Sequence, residues 1–441
     1  MGHKNILLRI LGLAFGLAVV VGSVIGQGIL RSPGVVAQAT NSTSVILGLW
    51  VLGAAIAAIS AFAFAELGAA VPRAGGTFAF VERAFGPKWG TFTGMCILTG
   101  MISSLAMFCF IVGEFLVRLG VGGGAYEPGT LGLISLTLFC LINAAGTRIS
   151  GWSQVLLSTT KAVVLLVLII AIFGQEGVTA GPPREPIDGG WLAIATALMV
   201  ITNTYSGWHQ LAVYGEELQN PGRDIPRAMI GGIAGVAIIY LLINTAMLHV
   251  LAPWQMAGSI LPAADAAGVV FGDRGDDFLT LFGVVSVGAI ANLYVMSTSR
   301  LIFAMARSGV LPNALTRVER NGTPLLAVLT VAAIVAVFIA TGTYLSLVTT
   351  TVAQTQFNMV MAMAALYALR RREPDLPRPF RMPAYPWTWL LAFSINLALF
   401  AVFFARDPMN SLIGFLLVGA LWLVDMVVKR TAALKLARQN P

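Results

Sequence analysis

Charge is scarce in this sequence. Asp, Glu, Lys and Arg together make up 10% of the 441 residues, whereas hydrophobic residues make up 57%. A soluble domain has roughly 25% charged residues, because its surface must be hydrated. The scarcity therefore excludes a soluble globular protein and predicts an all-α polytopic membrane protein, in which each spanning helix needs about 20 apolar residues.

Cysteine and histidine are also scarce, with 3 of each. Cys96, Cys109 and Cys140 all lie in apolar segments at no metal-ligand spacing, so we interpret them as buried thiols and predict no metal site and no cofactor. The sequence contains no P-loop, zinc motif or nucleophile elbow. These absences argue against ATP-driven transport and against an enzyme.

The net charge of +8 arises from loops. Lys and Arg are concentrated in alternate loops, which is the positive-inside pattern of membrane proteins. The charge therefore reports topology, and no nucleic-acid partner is expected. It places both termini in the cytoplasm, and a plasma (inner) membrane is the expected location. The basic residues assigned to the cytoplasmic side include Arg73, Arg83, Lys88, Arg148, Arg223, Arg227, Arg307, Arg317, Arg320, Arg370, Arg371, Arg372, Arg378 and Arg381.

The hydropathy pattern contains twelve apolar runs of roughly 20 residues or more, the length that crosses a bilayer. No connection between them is long enough to bury a core of its own. We therefore predict one transmembrane domain over residues 1–430 and a cytoplasmic tail over 431–441, with a short helix lying over the outer face within 252–277. The runs are 10–38, 44–71, 89–119, 129–147, 152–174, 190–215, 227–252, 278–305, 324–341, 344–369, 386–405 and 410–429.

The first run is interrupted at its centre. Gly22, Gly26 and Gly28 lie there together with Ser23 and Gln27. In hydrocarbon, an unpaired backbone N–H or C=O is costly, so a helix breaks only where protein, water or a ligand satisfies the freed groups. The interruption therefore predicts a binding site, although the spacing of Gly22 and Gly26 is also that of closely packed helices.

The sixth run carries a second interruption, because polar residues occupy 201–210, where the bilayer midplane is expected. The two interrupted runs are five spans apart, so they enter the membrane in opposite senses. Paired broken helices of opposite sense are typical of inverted repeats with a binding site between them. We predict repeats over 10–174 and 190–369, followed by two extra helices over 386–429.

The ends of broken helices present complementary partial charges at the centre of the membrane. The outer half of the first helix directs free N–H groups into the gap, and these suit a carboxylate. The helix ends on the other side offer carbonyls from about Val24, Asn203 and Ser206, which suit an ammonium group. Together they predict a receptor for both charged ends of an α-amino acid.

Lys161 lies about ten residues inside the fifth run, roughly 15 Å along the helix and near the midplane. A charged lysine there costs at least ~2.5–3.5 kcal/mol, so it is expected to face the bundle interior. We interpret it as a cation at the position of a coupling Na⁺, with Ser297, Thr298 and Ser299 as candidate hydroxyl partners. The alternative is a lysine that extends to the cytoplasmic surface.

Five stretches resemble the amino acid permeases of the amino acid, polyamine and organocation superfamily, in the family's order along the chain. They are Gly22–Leu30, Pro72–Phe80, Glu216–Arg227, Ser299–Pro312 and Arg378–Pro386. The resemblance implies a LeuT-like fold of two inverted five-helix repeats plus two extra helices, with alternating access around a central amino acid site.

The resemblance also assigns roles to residues. It implies that Gln27 and Gly28 hold the substrate carboxylate and that the carbonyls of Val24, Asn203 and Ser206 hold its amine. It also implies that Lys161 matches a lysine that some members use in place of sodium. At the position of Gln27, family members usually have Ser or Thr, and at the position of Asn203 they often have a bulky aromatic gate. Because Asn203 is not aromatic, we hypothesise that Tyr205 takes over the gating role. The candidate substrate-binding set is Val24, Ile25, Gly26, Gln27, Gly28, Asn203, Tyr205, Ser206 and Gly207.

The leading hypothesis is a sodium-independent secondary transporter of neutral amino acids that works by exchange or proton symport. A polyamine or cationic amino acid transporter is the first alternative, but it favours midplane carboxylates, and none is evident. A membrane sensor that keeps the fold without transport is the second. The expected partners are an amino acid substrate, protons and the lipid bilayer. No cysteine lies between the third and fourth runs, so no disulfide-linked accessory subunit is expected.

Overall fold

The computed structural model describes residues 6–26, 28–178, 190–259 and 261–439, apart from the side chains of 273, 276, 344–347 and 428–439. Within these residues every regular element is a helix. Short 3-10 helices lie at Trp208–Val213, Gly272–Arg274 and Asn313–Thr316. The α-helices are α1 (Leu13–Val24), α2 (Gly28–Thr40), α3 (Thr43–Ala70), α4 (Thr77–Phe85), α5 (Pro87–Arg118), α6 (Pro128–Ala144), α7 (Thr147–Phe173), α8 (Trp191–Thr204), α9 (Pro221–Val250), α10 (Pro253–Gly258), α11 (Pro262–Phe271), α12 (Gly275–Arg307), α13 (Leu325–Thr341), α14 (Tyr344–Arg372), α15 (Trp387–Arg406) and α16 (Pro408–Gln439).

The helices have the length and apolarity of a polytopic membrane protein. In the described residues, seven of them are long and apolar enough to cross a bilayer, namely α3, α5, α7, α9, α12, α15 and α16. The bent pair α1 and α2 forms an eighth candidate span, with an angle of 46° at the break. The four other predicted runs coincide with α6, α8, α13 and α14, which are helical but shorter or less apolar. The all-α membrane class is therefore confirmed.

Burial separates a central helix from two peripheral ones. In α12, 72% of the most apolar window is buried inside the protein, whereas α15 and α16 bury only 11% and 17%. Their exposed leucines and valines are suited to lipid, which is as apolar as the side chains themselves. Helix α12 therefore lies at the centre of the bundle, while α15 and α16 lie at its edge.

The segment after α9, where one short helix was expected, is mostly helical. It contains two short helices, α10 and α11, that pack against α2. Gln38 of α2 donates a hydrogen bond from Nε2 to the carbonyl of Ala257, at 2.8 Å. At Gly34 the backbones approach so closely that a Cβ atom would lie 2.8 Å from the carbonyl oxygen of Ser259. This segment therefore fixes the second half of the broken first helix.

A buried ion pair joins α12 to the loop that precedes α9. Arg300 Nε donates to Glu217 Oε1 at 2.9 Å, and both side chains are fully buried. Arg300 Nη2 also donates to Thr147 Oγ1 of α7, at 3.1 Å. The same loop pairs with the segment before α1, because Leu11 N donates to Glu217 O and Gln219 N donates to Leu11 O, at 2.9 and 2.8 Å. The chain entering the first broken helix is thus attached to the chain leaving the second.

Candidate functional site

The first helix breaks where the sequence predicts. Helix α1 ends at Val24 and α2 begins at Gly28, so Ile25 and Gly26 lie in the gap. Ile25 has an extended backbone, with φ −69° and ψ 102°. The change of direction leaves carbonyls at the end of α1 without helical partners. Gln27, the predicted carboxylate ligand, lies outside the described residues.

Lys161 of α7 supplies a donor for these carbonyls. Its side chain is fully buried, and Nζ donates to the carbonyl oxygen of Gly22 and, at 2.5 Å, to that of Ile25. Ser286 of α12 donates to the same Ile25 oxygen at 3.4 Å. A cation at the carboxyl end of a helix is favourable because the helix dipole is negative there. Lys161 therefore faces the bundle interior, as expected, and does not extend to the surface.

The close approach of α1 to α7 depends on a glycine. A Cβ atom at Gly22 would overlap Ser158 Oγ and would lie 2.9 Å from Gln154 Nε2. Both of these residues are on the face of α7 that carries Lys161. The packing interpretation of Gly22 and the binding-site interpretation of the break are therefore compatible, since the glycine brings the lysine to the carbonyls.

The expected hydroxyl partners of Lys161 make other contacts. Ser297 Oγ is 2.6 Å from the hydroxyl of Tyr214, and Thr298 Oγ1 has no hydrogen-bond partner among the described residues. The α12 hydroxyl that does reach the first break belongs to Ser286, eleven residues earlier in the helix. Eleven residues correspond to about 16 Å along the axis. Ser297 and Thr298 thus lie at a different depth from Lys161.

The second break follows α8. This helix ends at Thr204, and the chain resumes as a 3-10 helix at Trp208. Between them, Gly207 has φ +115°, a conformation that residues with a Cβ rarely adopt. A Cβ atom there would lie 2.7 Å from the carbonyl oxygen of Ser23. The two breaks are therefore in direct contact in the interior of the protein.

Side chains from two further positions connect the breaks. The hydroxyl of Tyr240, on α9, is 2.7 Å from the carbonyl oxygen of Val24 and 3.2 Å from that of Thr204. Ser32 Oγ of α2 is 2.7 Å from Thr204 Oγ1. We did not predict a role for Tyr240 from sequence. The only signal was a polar hydroxyl in the middle of the apolar run 227–252, which hydropathy alone does not interpret.

The other candidate residues of the second break face different surroundings. Tyr205 is only 1% exposed and packs in an aromatic cluster, with its ring 5.9 Å from Trp50 and 5.0 Å from Tyr240. Asn203 has an exposed side chain, and Ser206 is half-buried. The carbonyl of Asn203 accepts a bond from Ser206 N at 3.0 Å. Tyr205 thus lies behind the break, between α3 and α9.

Two small cavities flank the second break. One has about 40 Å³ and is lined by Ser206, Gln356 and neighbours, and the other has about 70 Å³ and is lined by His209, Asn358 and neighbours. A water molecule needs ~10–15 Å³ of such volume, so they have space for a few waters. Gln356 Oε1 and Asn358 Oδ1 are buried and have no hydrogen-bond partner among the described residues. Hydrogen-bonding capacity therefore remains free beside the break.

Two discontinuous helices whose breaks meet in the interior, with unwound carbonyls bound by side-chain donors, are typical of helical membrane transporters. The sequence comparisons agree with this class. The profile described as "Amino acid permease" matches residues 11–424. The chain belongs to the amino acid permease family.

Named relatives match over most of the chain. A serine/threonine exchanger of Bacillus subtilis is 30% identical over 405 residues, which cover 89% of this chain and 90% of the relative. The b(0,+)-type amino acid transporter 1 of Mus musculus is 28% identical, covering 85% of this chain and 78% of the relative. The human cystine/glutamate transporter is 26% identical, covering 91% and 81%. These proteins are transporters, not enzymes, and the matches support amino acid transport by a membrane protein.

Proposed function

We propose that this protein is a sodium-independent secondary transporter of neutral amino acids that works by alternating access. The proposed topology has twelve spans in one domain over residues 1–430, with LeuT-like inverted repeats over 10–174 and 190–369, extra helices over 386–429 and both termini in the cytoplasm. The coincidence of every predicted apolar run with a helix or a broken pair supports this topology. The low burial of α15 and α16 supports their assignment as additions to the repeats.

The observation that carries the proposal is the position of Lys161 Nζ between the carbonyls of Gly22 and Ile25. In transporters with broken helices, unwound backbone carbonyls of this kind coordinate the coupling Na⁺. An ammonium group that already satisfies the carbonyls leaves no requirement for a metal cation there. We therefore assign Lys161 to coupling, and Ser297 and Thr298 to a supporting role on α12 at most.

The proposed substrate site uses backbone groups at both breaks. The carbonyls of Val24, Asn203 and Ser206 are proposed to bind the ammonium group, and Gln27 and Gly28 the carboxylate, while Ile25, Gly26 and Gly207 shape the gap. A carbonyl oxygen has two lone pairs, so Val24 O can accept from both Tyr240 and a substrate. Tyr205 is proposed as a gate that moves with its aromatic neighbours. Recognition by backbone would accept any small side chain.

The charges of the described residues favour a neutral substrate. The buried acids among them, Glu66, Glu217 and Asp224, are all engaged. Glu66 accepts from Arg370 at 2.6 and 2.8 Å, Glu217 pairs with Arg300, and Asp224 accepts from a backbone N–H. A polyamine or cationic side chain would need a free carboxylate. An acidic side chain would need a free buried cation, and Lys161 is already bonded.

Exchange is the proposed mode, supported by the similarity to the serine/threonine exchanger of Bacillus subtilis. The test is uptake of labelled serine, threonine, alanine, leucine, lysine, glutamate and putrescine into proteoliposomes. Vesicles preloaded with unlabelled substrate are compared with empty ones, in sodium and in choline buffers. Uptake of the small neutral amino acids after preloading only, with no effect of sodium, is the expected result.

Other outcomes separate the alternatives. Uptake into empty vesicles that stops without an inward proton gradient would replace exchange by proton symport. Uptake of lysine or putrescine would replace the neutral substrate class. Saturable binding without flux in any condition would indicate a sensor, and dependence on sodium would contradict the role given to Lys161.

A further inference from the structure

A large basic pocket lies where the segment before α1, the start of α9 and the loop before α15 meet. It is an open surface pocket with a volume of about 660 Å³. Arg9, Arg223 and Arg227 line it, and Pro379 and Phe380 form an apolar side. The pocket therefore combines concentrated positive charge with a hydrophobic wall.

The three pocket arginines lack a counter-charge. None of them makes an ion pair within the described part of the chain, and Asp224, which follows Arg223, is buried and accepts from Asn220 N at 3.3 Å instead. Arg223 and Arg227 are four residues apart on α9, where like charges repel each other. Six other arginines form ion pairs among the described residues: Arg83 with Glu373, Arg300 with Glu217, Arg307 with Glu216, Arg317 with Glu319, and Arg370 and Arg378 with Glu66.

The positive-inside rule explains why arginines are abundant in these loops, but it does not explain why three of them line one pocket. That rule acts on the number of basic residues near a span and does not require them to share a pocket. Here one arginine comes from the N-terminal segment and two from α9, more than 200 residues later. Three converging positive charges without an acidic partner are the electrostatic complement of an anion.

We propose that this pocket binds the phosphate group of an anionic ligand. Guanidinium groups bind phosphate in a planar, bidentate geometry, so several arginines around one cavity suit this group. Basic pockets at the ends of membrane helices bind the headgroups of anionic lipids. The Pro379 and Phe380 side fits the glycerol and upper acyl region of a phospholipid. A free phosphate compound is the other source of the same chemistry.

Binding would stabilise the arrangement of the two broken helices. Arg9 lies two residues before Leu11, which is paired with the loop before α9. A phosphate held by Arg9 and Arg223 together would strengthen this connection between the chain entering the first break and the chain leaving the second. The site is separate from the gap between the breaks, so its test does not depend on the identity of the transported amino acid.

The test compares two double variants of the full chain in neutral detergent. Arg223→Gln with Arg227→Gln removes two charges from the pocket, whereas Arg148→Gln with Arg320→Gln removes two exposed charges outside it. Native mass spectrometry measures binding of dioleoyl phosphatidylglycerol and dioleoyl phosphatidylcholine. A parallel thermal-unfolding titration with inorganic phosphate, at constant ionic strength, tests the free anion. Melting without ligand verifies that both variants fold.

We expect the pocket variant to bind phosphatidylglycerol at least about tenfold more weakly than the wild type, since two guanidinium groups that can form charged hydrogen bonds with the phosphate are lost. The control variant should bind like the wild type. Stabilisation by inorganic phosphate that is lost only in the pocket variant would support the site with a free phosphate as its ligand. Equal losses in both variants, or no loss in either with both ligands, would overturn the proposal.

Discussion

The two helix breaks are in contact, yet they are stabilised in different ways. At the first, donors from α7, α9 and α12 bind the freed carbonyls, with Lys161, Tyr240 and Ser286 as the donating residues. At the second, the backbone turns at Gly207, with φ +115°, and packs directly on Ser23. The first break is thus stabilised by donor side chains that a substitution can remove. The second requires a residue without a side chain at position 207. Each of the following variants changes a residue that forms or stabilises one of the breaks.

The largest effect is expected from Gly207→Ala. The variant combines an unfavourable positive φ, which costs ~1–3 kcal/mol, with a methyl group 2.7 Å from the carbonyl oxygen of Ser23. We expect loss of uptake and a lower melting temperature. The matched control is Gly235→Ala, where a Cβ would meet no atom within 4 Å. Uptake by Gly207→Ala at the level of this control would show that the second break tolerates a side chain.

Lys161→Met should have the next largest effect. The substitution keeps a long side chain but leaves the carbonyls of Gly22 and Ile25 without this donor, and each buried unsatisfied group costs ~1–3 kcal/mol. We expect uptake to fall about tenfold or more while the protein still folds. Lys88→Met, at an exposed lysine, is the control. Wild-type uptake by Lys161→Met would count against the coupling role.

A smaller effect is expected from Tyr240→Phe, which removes only the hydroxyl near Val24 O and Thr204 O. A single hydrogen bond contributes ~0.5–1.5 kcal/mol, so melting should shift slightly and uptake should fall several-fold. Tyr126→Phe, at a tyrosine that is 48% exposed, should change neither. If Tyr240→Phe were also silent, the contact between the breaks would rest on the Gly207–Ser23 packing and the Ser32–Thr204 hydrogen bond.

The smallest effect is expected from Ser206→Ala. In the proposed site Ser206 contributes its carbonyl, which the substitution preserves, so the apparent KM should change by about twofold or less. Uptake measured across substrate concentrations tests this, with the wild type as reference. A large rise in KM would mean that the hydroxyl binds the substrate, and recognition at the second break would not be a property of the backbone.

One contact outside the membrane has a defined pH dependence. Hydrogen bonds from Arg83 lower the pKa of Glu373 below its ordinary value. The pair therefore stabilises the fold above the ordinary carboxyl pKa, and this contribution is lost as the pH falls through the lowered value. Both side chains are about one-third exposed, so the effect is screened and small.

Local features of the sequence were sufficient to locate the long apolar helices and both breaks, but not α4, which lies in the connection between the second and third runs. The twelve apolar runs coincide with helices, the glycines at 22–28 mark the end of α1 and the start of α2, and the polar cluster at 201–210 contains the end of α8. The segment 252–277, where one short helix was predicted, contains two, α10 and α11. These features are encoded locally because hydropathy and glycine content act on the segment that carries them.

The contacts between residues on different helices could not be predicted from such local features. Lys161 was expected beside Ser297 and Thr298, but its bonds go to backbone carbonyls, and Ser286 is the serine of α12 that reaches them. Tyr240 was not selected at all. Each of these contacts depends on the depth and rotation of one helix relative to another, and neither quantity appears in a single hydropathy profile.

The sequence by itself determined the membrane class, the family resemblance, the position of both interruptions and the presence of a buried lysine. Only the tertiary structure decided which carbonyls that lysine binds, that the two interruptions touch, and that three arginines converge on one pocket. The physical reason is that burial in the bilayer is a property of each segment, whereas hydrogen bonds and charge compensation depend on distances between segments that are far apart in the chain.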